Sequence, residues 1–281
     1  MGPILVATDL SPRSDIALRR AAQLAHATGA ELHVVHILDE DLPAALLNDQ
    51  SAAIEAGLTA MIDLEDWPAG VVPRVDVEVG HLARMVPKLV AERKAGLIVM
   101  GSHRDRGLAD LMGQPTLARL MAAVDVPILV AVSSAGGAAW SKAIVGWDFS
   151  PAAKAAAQLA KTLAPDVTLS LLNVWTDPAQ SSPYAFDMGG VAGQNTVPHL
   201  EQALAEASAS LGNAPGPGDT PHAAKVGAPA AVLVREARDT KTDVLVIGRH
   251  ARSGIARFLL GETAARAALH APCDVLIAPP G

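Results

Sequence analysis

One phrase occurs twice in this chain, and the repetition constrains its fold more than any other feature. Leu97-Ile98-Val99-Met100-Gly101-Ser102-His103-Arg104-Asp105-Arg106-Gly107 recurs as Val244-Leu245-Val246-Ile247-Gly248-Arg249-His250-Ala251-Arg252-Ser253-Gly254. The interval from Gly101 to Gly248 equals that from Gly107 to Gly254. In each copy an apolar run of four ends in glycine and a polar turn leads to a second glycine, which describes a buried strand feeding a loop of phosphate size. In the second copy Ile255 to Leu260 and Gly261-Glu262 lead on towards a helical pattern. Two copies in 281 residues predict two domains, 1–133 and 141–281.

The elements around each copy repeat as well. Ile4-Leu5-Val6-Ala7 is a continuous apolar run, the pattern of a strand buried on both faces, and Thr8-Asp9 puts polar groups at its carboxyl end. Ser11-Pro12 supplies an N-cap and first helical residue, Ile16, Ala17, Ala21, Leu24 and Ala25 form a helical stripe, and Gly29 closes it. With a second strand at Leu32 to Ile37 this is a right-handed βαβ unit. A helix over Ala44 to Leu64 follows. Val75-Asp76-Val77-Glu78-Val79 alternates strictly, as an edge strand with one polar face does. A helix over Leu82 to Arg93, a strand over Leu97 to Met100, a helix over Leu117 to Ala123 and a strand over Ile128 to Ala131 complete the first unit. Ser133 to Ala139 reads as a small-residue linker.

The second unit then restarts. Ala143-Ile144-Val145-Gly146-Trp147-Asp148-Phe149-Ser150-Pro151 parallels Ile4 to Pro12, with Asp148 in the place of Asp9. Leu169 to Val174 parallels the second strand, Val226-Gly227 matches Val79-Gly80, and Val275 to Ala278 is the final strand. Thr176 to Asn195 is rich in Ser, Pro and Gly and reads as a loop insertion, and His199 to Leu211 as a helix.

Composition narrows the classes open to such a chain. Half the residues are apolar but only 3% aromatic, so Ala, Val, Leu and Ile must fill the cores. That mix suits helices packed closely on parallel sheets. A formal charge of −7 and a pI near 5.7 argue against general affinity for nucleic acid or anionic membrane. Cys273, the single cysteine, reads as a small buried hydrophobe. Met1-Gly2-Pro3 runs directly into a strand pattern with no signal-peptide organisation, and Val6 stands where a myristoylation signal needs Ser or Thr. No apolar run approaches the roughly 20 residues of a membrane span, so the expectation is a soluble cytoplasmic protein. The nine histidines lack zinc-site spacing, which argues against a metal centre, and no GxSxG elbow is present.

The phrases Ile4 to Pro12, His36-Ile37, Ile98 to His103, Val246 to His250, Gly254 to Gly261 and His270-Ala271-Pro272-Cys273 together carry a family resemblance. Both units resemble universal stress protein domains, and the whole chain resembles a tandem member of that family. The resemblance implies an α/β fold of two tandem Rossmann-like domains, each a five-stranded parallel sheet of order 3-2-1-4-5 between helices. It implies that ATP, ADP or AMP is a candidate ligand, seated outside the carboxyl ends of strands 1 and 4 where strand order reverses. A carboxylate after strand 1 and backbone after strand 2 would hold the adenosine. A motif of Gly, two residues, Gly, nine residues, Gly and Ser or Thr would wrap the phosphates, because glycine lets N–H groups approach oxygens closely.

Carried over residue by residue, the second unit offers Gly146, Trp147, Asp148, Val174, Ile247, Gly248 and His250. Ala251 stands at the middle glycine, Gly261 fits, and Glu262 replaces Ser or Thr with Thr263 next to it. Glu262 would repel terminal phosphates by on the order of 1–4 kcal/mol, with Arg249, His250 and Arg252 as counter-charges. The first unit offers Ala7, Thr8, Asp9, Ile37, Gly101 and His103, but Arg104 replaces the middle glycine, and Gln114-Pro115 replaces the end of the motif. Pro115 removes a backbone donor. Arg104 reads either as a phosphate ligand or as a plug in the phosphate space. Trp147 reads either as a flank for adenine or as packing beneath its loop, and Asp9 and Asp148 either as adenosine ligands or as loop-ordering carboxylates.

Three functions remain in view: a stress regulator with weakened adenine-nucleotide binding, mainly in the second domain; a scaffold or interaction protein with both pockets degenerate; and a slow ATPase. The resemblance also implies pairing through the last strands, Ile128 to Ala131 and Val275 to Ala278, as an intramolecular pseudo-dimer or a further homodimer.

Overall fold

A computed structural model describes residues 1–40, 44–64, 66–102, 116–132, 139–175, 191–212, 222–249 and 262–279. The chain divides into two compact units, Met1–Ala139 and Trp140–Gly281.

In the first unit the strands are β1 (Ile4–Thr8), β2 (Leu32–Leu38), β3 (Arg74–Val79), β4 (Leu97–Gly101) and β5 (Ile128–Ala131). They form a parallel sheet in the order β3-β2-β1-β4-β5. The helices are α1 (Pro12–Thr28), α2 (Ala44–Leu64), α3 (Leu82–Arg93) and α4 (Thr116–Ala123). Ile4, Val6, Leu97, Val99 and Leu129 are fully buried, as expected of strands covered on both faces. β3 is the edge strand, and most of its residues are only half-buried.

The second unit repeats the plan with β6 (Lys142–Gly146), β7 (Thr168–Trp175), β8 (His222–Val226), β9 (Val244–Gly248) and β10 (Asp274–Ala278). Its parallel order is β8-β7-β6-β9-β10. Its described helices are α5 (Pro151–Leu163), α6 (Val191–Ser210), α7 (Pro229–Thr240) and α8 (Glu262–His270). α6 begins earlier than the composition suggested. Residues 191–198 are helical although they include Gly193 and Pro198, because an interior proline deletes one donor without ending every helix.

Helices α1 and α5 start in the same way. The side chains of Ser11 and Ser150 accept from the amides of Ser14 and Ala153, and Pro12 and Pro151 follow. Such a cap stabilises by about 1 kcal/mol. Each helix lays an alanine-rich face on the sheet: Ala17, Ala21 and Ala25 in α1, and Ala153, Ala156 and Ala160 in α5, all buried. Small side chains bring the helix axis close to the strands, and the scarcity of aromatic residues in the chain serves this contact.

The entry to the second unit is tied down by two carboxylates. Trp140 Nε1 donates to Asp274 Oδ2 at 2.9 Å in a buried contact. Asp243 Oδ2 accepts from the Ser141 amide, the Ser141 hydroxyl and the Lys142 amide at 2.7 to 2.9 Å, fixing where β6 begins.

Candidate functional site

The candidate site in each unit lies at the carboxyl end of its first strand. β1 lies between β2 and β4, and β6 between β7 and β9. The connections out of these neighbours leave in opposite directions, the place where open α/β sheets generally take a ligand. Asp9 and Asp148 stand just beyond β1 and β6. Asp9 Oδ1 accepts from the amide of Ser11, and Asp148 Oδ1 from the amide of Ser150, both at 3.1 Å. These turns force the intervening residue into the left-handed region, with φ of 61° at Leu10 and 62° at Phe149. Their side chains are 45% and 43% exposed.

Burial raises the pKa of Asp9, but hydrogen bonds from the Ser11 side chain and amide and from the Ser14 side chain outweigh it. The carboxyl is held below its ordinary value of 3.8 and carries its charge at neutral pH. Thr8, buried at the end of β1, donates to Ser14 Oγ at 3.0 Å and accepts from the amide of Leu10 at 3.1 Å.

The second strand braces this turn in both units. His36 Nδ1 donates to the carbonyl of Thr8 at 3.0 Å. At the matching position Asn173 Nδ2 donates to the carbonyl of Trp147 at 2.7 Å. The sequence reading assigned neither residue this role. Polarity in an otherwise apolar second strand was the available signal.

Gly101 and Gly248 close β4 and β9. A Cβ on Gly101 would stand 2.7 Å from the carbonyl oxygen of Arg13, and one on Gly248 would stand 2.5 Å from the carbonyl carbon of Ala152. Glycine is therefore required here by the first turns of α1 and α5, independently of any phosphate. Beyond these glycines Ser102 and Arg249 donate their amides to Ala131 and Ala278 at 3.1 and 2.9 Å.

The structure places the other sequence-derived candidates as follows. Trp147 is only 6% exposed and meets Phe149 edge-on, with centroids 6.5 Å apart and planes at 79°. Its ring therefore packs beneath the loop, and Phe149 is the exposed aromatic side chain at this turn. Ala7, Ile37 and Val174 are half-buried near the strand ends, and Ile247 is buried. Gly146 faces Leu233 of α7, since a Cβ there would lie 3.4 Å from Leu233 Cδ1. Glu262 opens α8, exposed, with Thr263 behind it. His103, Arg104, His250, Ala251 and Gly261 lie outside the described residues, as do Arg252, Gln114 and Pro115.

Glu262 has a counter-charge on its own helix. Arg249 is 5% exposed beyond β9, and Arg266 Nη2 lies 2.7 Å from Glu262 Oε1. Their i,i+4 spacing on one helix was the sequence signal for that pair.

Among the described residues no group of three or more His, Cys, Asp or Glu could hold a metal ion, and no helix is long and apolar enough to cross a membrane. Cys273 is buried, and burial with the nearby Asp274 pushes its thiol up to about 12.

Two tandem doubly wound α/β units, each with an aspartate at the strand reversal, define a protein of the Rossmann-like α/β class. The model of the universal stress protein family matches residues 1–132 and again 140–279, and the chain belongs to that family. It is 34% identical over 119 residues to universal stress protein A homolog 1 of Coxiella burnetii, covering 39% of this chain and 82% of that relative. The crystal structure of a universal stress protein from Archaeoglobus fulgidus DSM 4304 is similar over 99% of this chain and 98% of its own, with a TM-score of 0.70 at 15% identity. A protein of unknown function from Pseudomonas aeruginosa PAO1 is similar over 100% of this chain and 93% of its own, with a TM-score of 0.66 at 19% identity.

Proposed function

We propose that the second unit holds an adenine nucleotide at the carboxyl ends of β6 and β9, taking AMP or ADP in preference to ATP. On this reading the protein is a nucleotide-responsive regulator of stress adaptation that relays its occupancy to a protein partner, and it is not an enzyme. The observation that carries the reading is the position of Asp148. It stands immediately after the strand at which the order of connections reverses, on a turn ordered by its own bond to Ser150. Family membership supports the stress role. Preference against a third phosphate follows from Glu262 at the first residue of α8, where this family's motif has Ser or Thr. Arg266 neutralises part of that charge.

Leu10 and Phe149 favour a second reading, an interaction protein with both clefts empty, since each presents a large apolar side chain to solvent beside a carboxylate. Equilibrium binding of AMP, ADP and ATP to the full chain separates the two. The first reading expects saturable binding, weakest for ATP, lost in Asp148→Ala, and a gain of about tenfold for ATP relative to AMP in Glu262→Ser. No binding of any of the three leaves the second reading. An unchanged ATP to AMP ratio in Glu262→Ser removes the repulsion argument.

A further inference from the structure

The two units also differ at the opposite, amino end of the sheet. In the first unit a charged network fills the space between β2, β3 and the end of α3. Arg93 Nη1 donates to Asp76 Oδ2, Nη2 reaches Glu78 Oε1 at 3.5 Å, and Nη1 lies 3.3 Å from His33 Nδ1. His33 Nε2 in turn lies 3.2 Å from Glu31 Oε2. Strand register identifies the matching positions in the second unit. Glu31 and His33 flank Leu32, which pairs with Ile4, and Thr168 and Ser170 flank Leu169, which pairs with Ala143. Asp76 and Glu78 pair with Val35 and Ile37, and Ala223 and Lys225 pair with Leu172 and Val174. Arg93 and Thr240 each end a helix just before a left-handed lysine, Lys94 and Lys241.

Glu31, His33, Asp76 and Arg93 are thus replaced by Thr168, Ser170, Ala223 and Thr240, every one of them smaller. The second unit has a cavity of about 270 Å³ at this place, between β6, β7, β8 and α7. Its polar lining is Lys142, Thr168, Ser170, Glu236, Thr240 and Thr242, over apolar wall from β6 and β7.

We propose that this cavity is a binding site for a small uncharged polyol of monosaccharide size, separate from the cleft at the carboxyl ends of the strands. Four hydroxyls line it: those of Thr240 and Thr242 lie 2.8 Å apart and Thr240 also donates to the Glu236 carbonyl, so this pair offers chiefly acceptor lone pairs, while Thr168 and Ser170 add donors as well as acceptors. That set matches the hydroxyls of a polyol, and the apolar wall matches its C–H face. A cation is disfavoured because the carboxylates that hold Arg93 in the first unit are here Ala223 and Lys225. No single sign of charge dominates the lining, which holds Lys142 and a Glu236 carboxylate already paired with Lys225, so an anion gains little over a neutral ligand. Lys142 and Thr240 are exposed, so the cavity opens to solvent at its rim.

The test is titration of the full chain with glycerol, ribose, glucose and myo-inositol, followed by amide chemical shifts and calorimetry. The expected result is saturable binding of at least one polyol in the millimolar range or tighter, with shifts gathered at 168–172 and 236–242 and none around Asp148. Thr240→Arg, which puts back the residue of the first unit, and Ser170→Val, which removes one hydroxyl, should each weaken it about tenfold or more. Should Thr240→Arg fail to fold, Ser170→Val decides alone. Binding of no polyol, or equal binding by the folded variants and the original chain, overturns the proposal. A rise in melting temperature in Thr240→Arg without polyol binding by the original chain also overturns it, by showing a packing void.

Discussion

Gly248 lies against Ala152 so closely that a Cβ on the glycine would stand 2.5 Å from the carbonyl carbon of Ala152 and 2.6 Å from the amide nitrogen of Ala153. The first turn of α5 is seated on the end of β9 by that contact, and the same turn carries the cap that follows Asp148. Gly248→Ala is therefore expected to destabilise the second unit by about 1–3 kcal/mol, because backbone and not a flexible side chain must shift. Gly101→Ala should do the same in the first unit through Arg13. Urea denaturation with an unchanged slope checks both. Wild-type stability in either variant would show that the helix is not held this way.

Trp140→Phe keeps an aromatic ring, though a smaller one, and removes the donor to Asp274, whose carboxylate is completely buried. Withdrawing a partner from a buried acceptor costs about 1–3 kcal/mol. A loss well below that range in chemical denaturation would mean that the other contacts of Asp274 suffice.

Cys273 should resist alkylation at pH 8 in the native chain and react at a rate set by opening of the structure. Its thiol, pushed up to about 12, leaves almost no thiolate to attack. Because the folded value lies above the unfolded one, ordinarily near 9.0, its contribution to stability is complete below pH 9.0 and is lost as pH rises towards 12. Alkylation in native buffer as fast as in denaturant would contradict this burial.

Asp9 should titrate below 3.8 in a carboxyl NMR titration. A depressed folded pKa gives stability that is present above 3.8 and lost as pH falls through the lower folded value. Asp9→Asn should accordingly reduce stability at neutral pH and make its acid dependence shallower. Parallel acid curves for the two chains would show that the hydrogen bonds from Ser11 and Ser14 do not favour the charged form.

Much of this was legible along the chain. The repeated phrase, the strand runs ending at Gly101 and Gly248, and the Ser-Pro caps at Ser11 and Ser150 are local signals. Their physics, burial of apolar runs and satisfaction of helix-end amides, operates over a few residues. The role of Gly248 as the seat of α5 was not legible, because it depends on what another element brings alongside. Nothing near Gly248 in sequence announces Ala152, and for Trp147 the sequence offered flanking of adenine or packing beneath the loop, of which the buried ring fits the second.

The sequence by itself determined two α/β units with an aspartate after each first strand, since periodicity and turn chemistry are written in neighbouring residues. Only the tertiary structure decided which differences between the units matter. Glu31, His33, Asp76 and Arg93 are distant along the chain, and their exchange for Thr168, Ser170, Ala223 and Thr240 reads as scattered drift until parallel pairing gathers those positions into one volume. Space is a property of packed side chains, and a linear order of residues does not contain it.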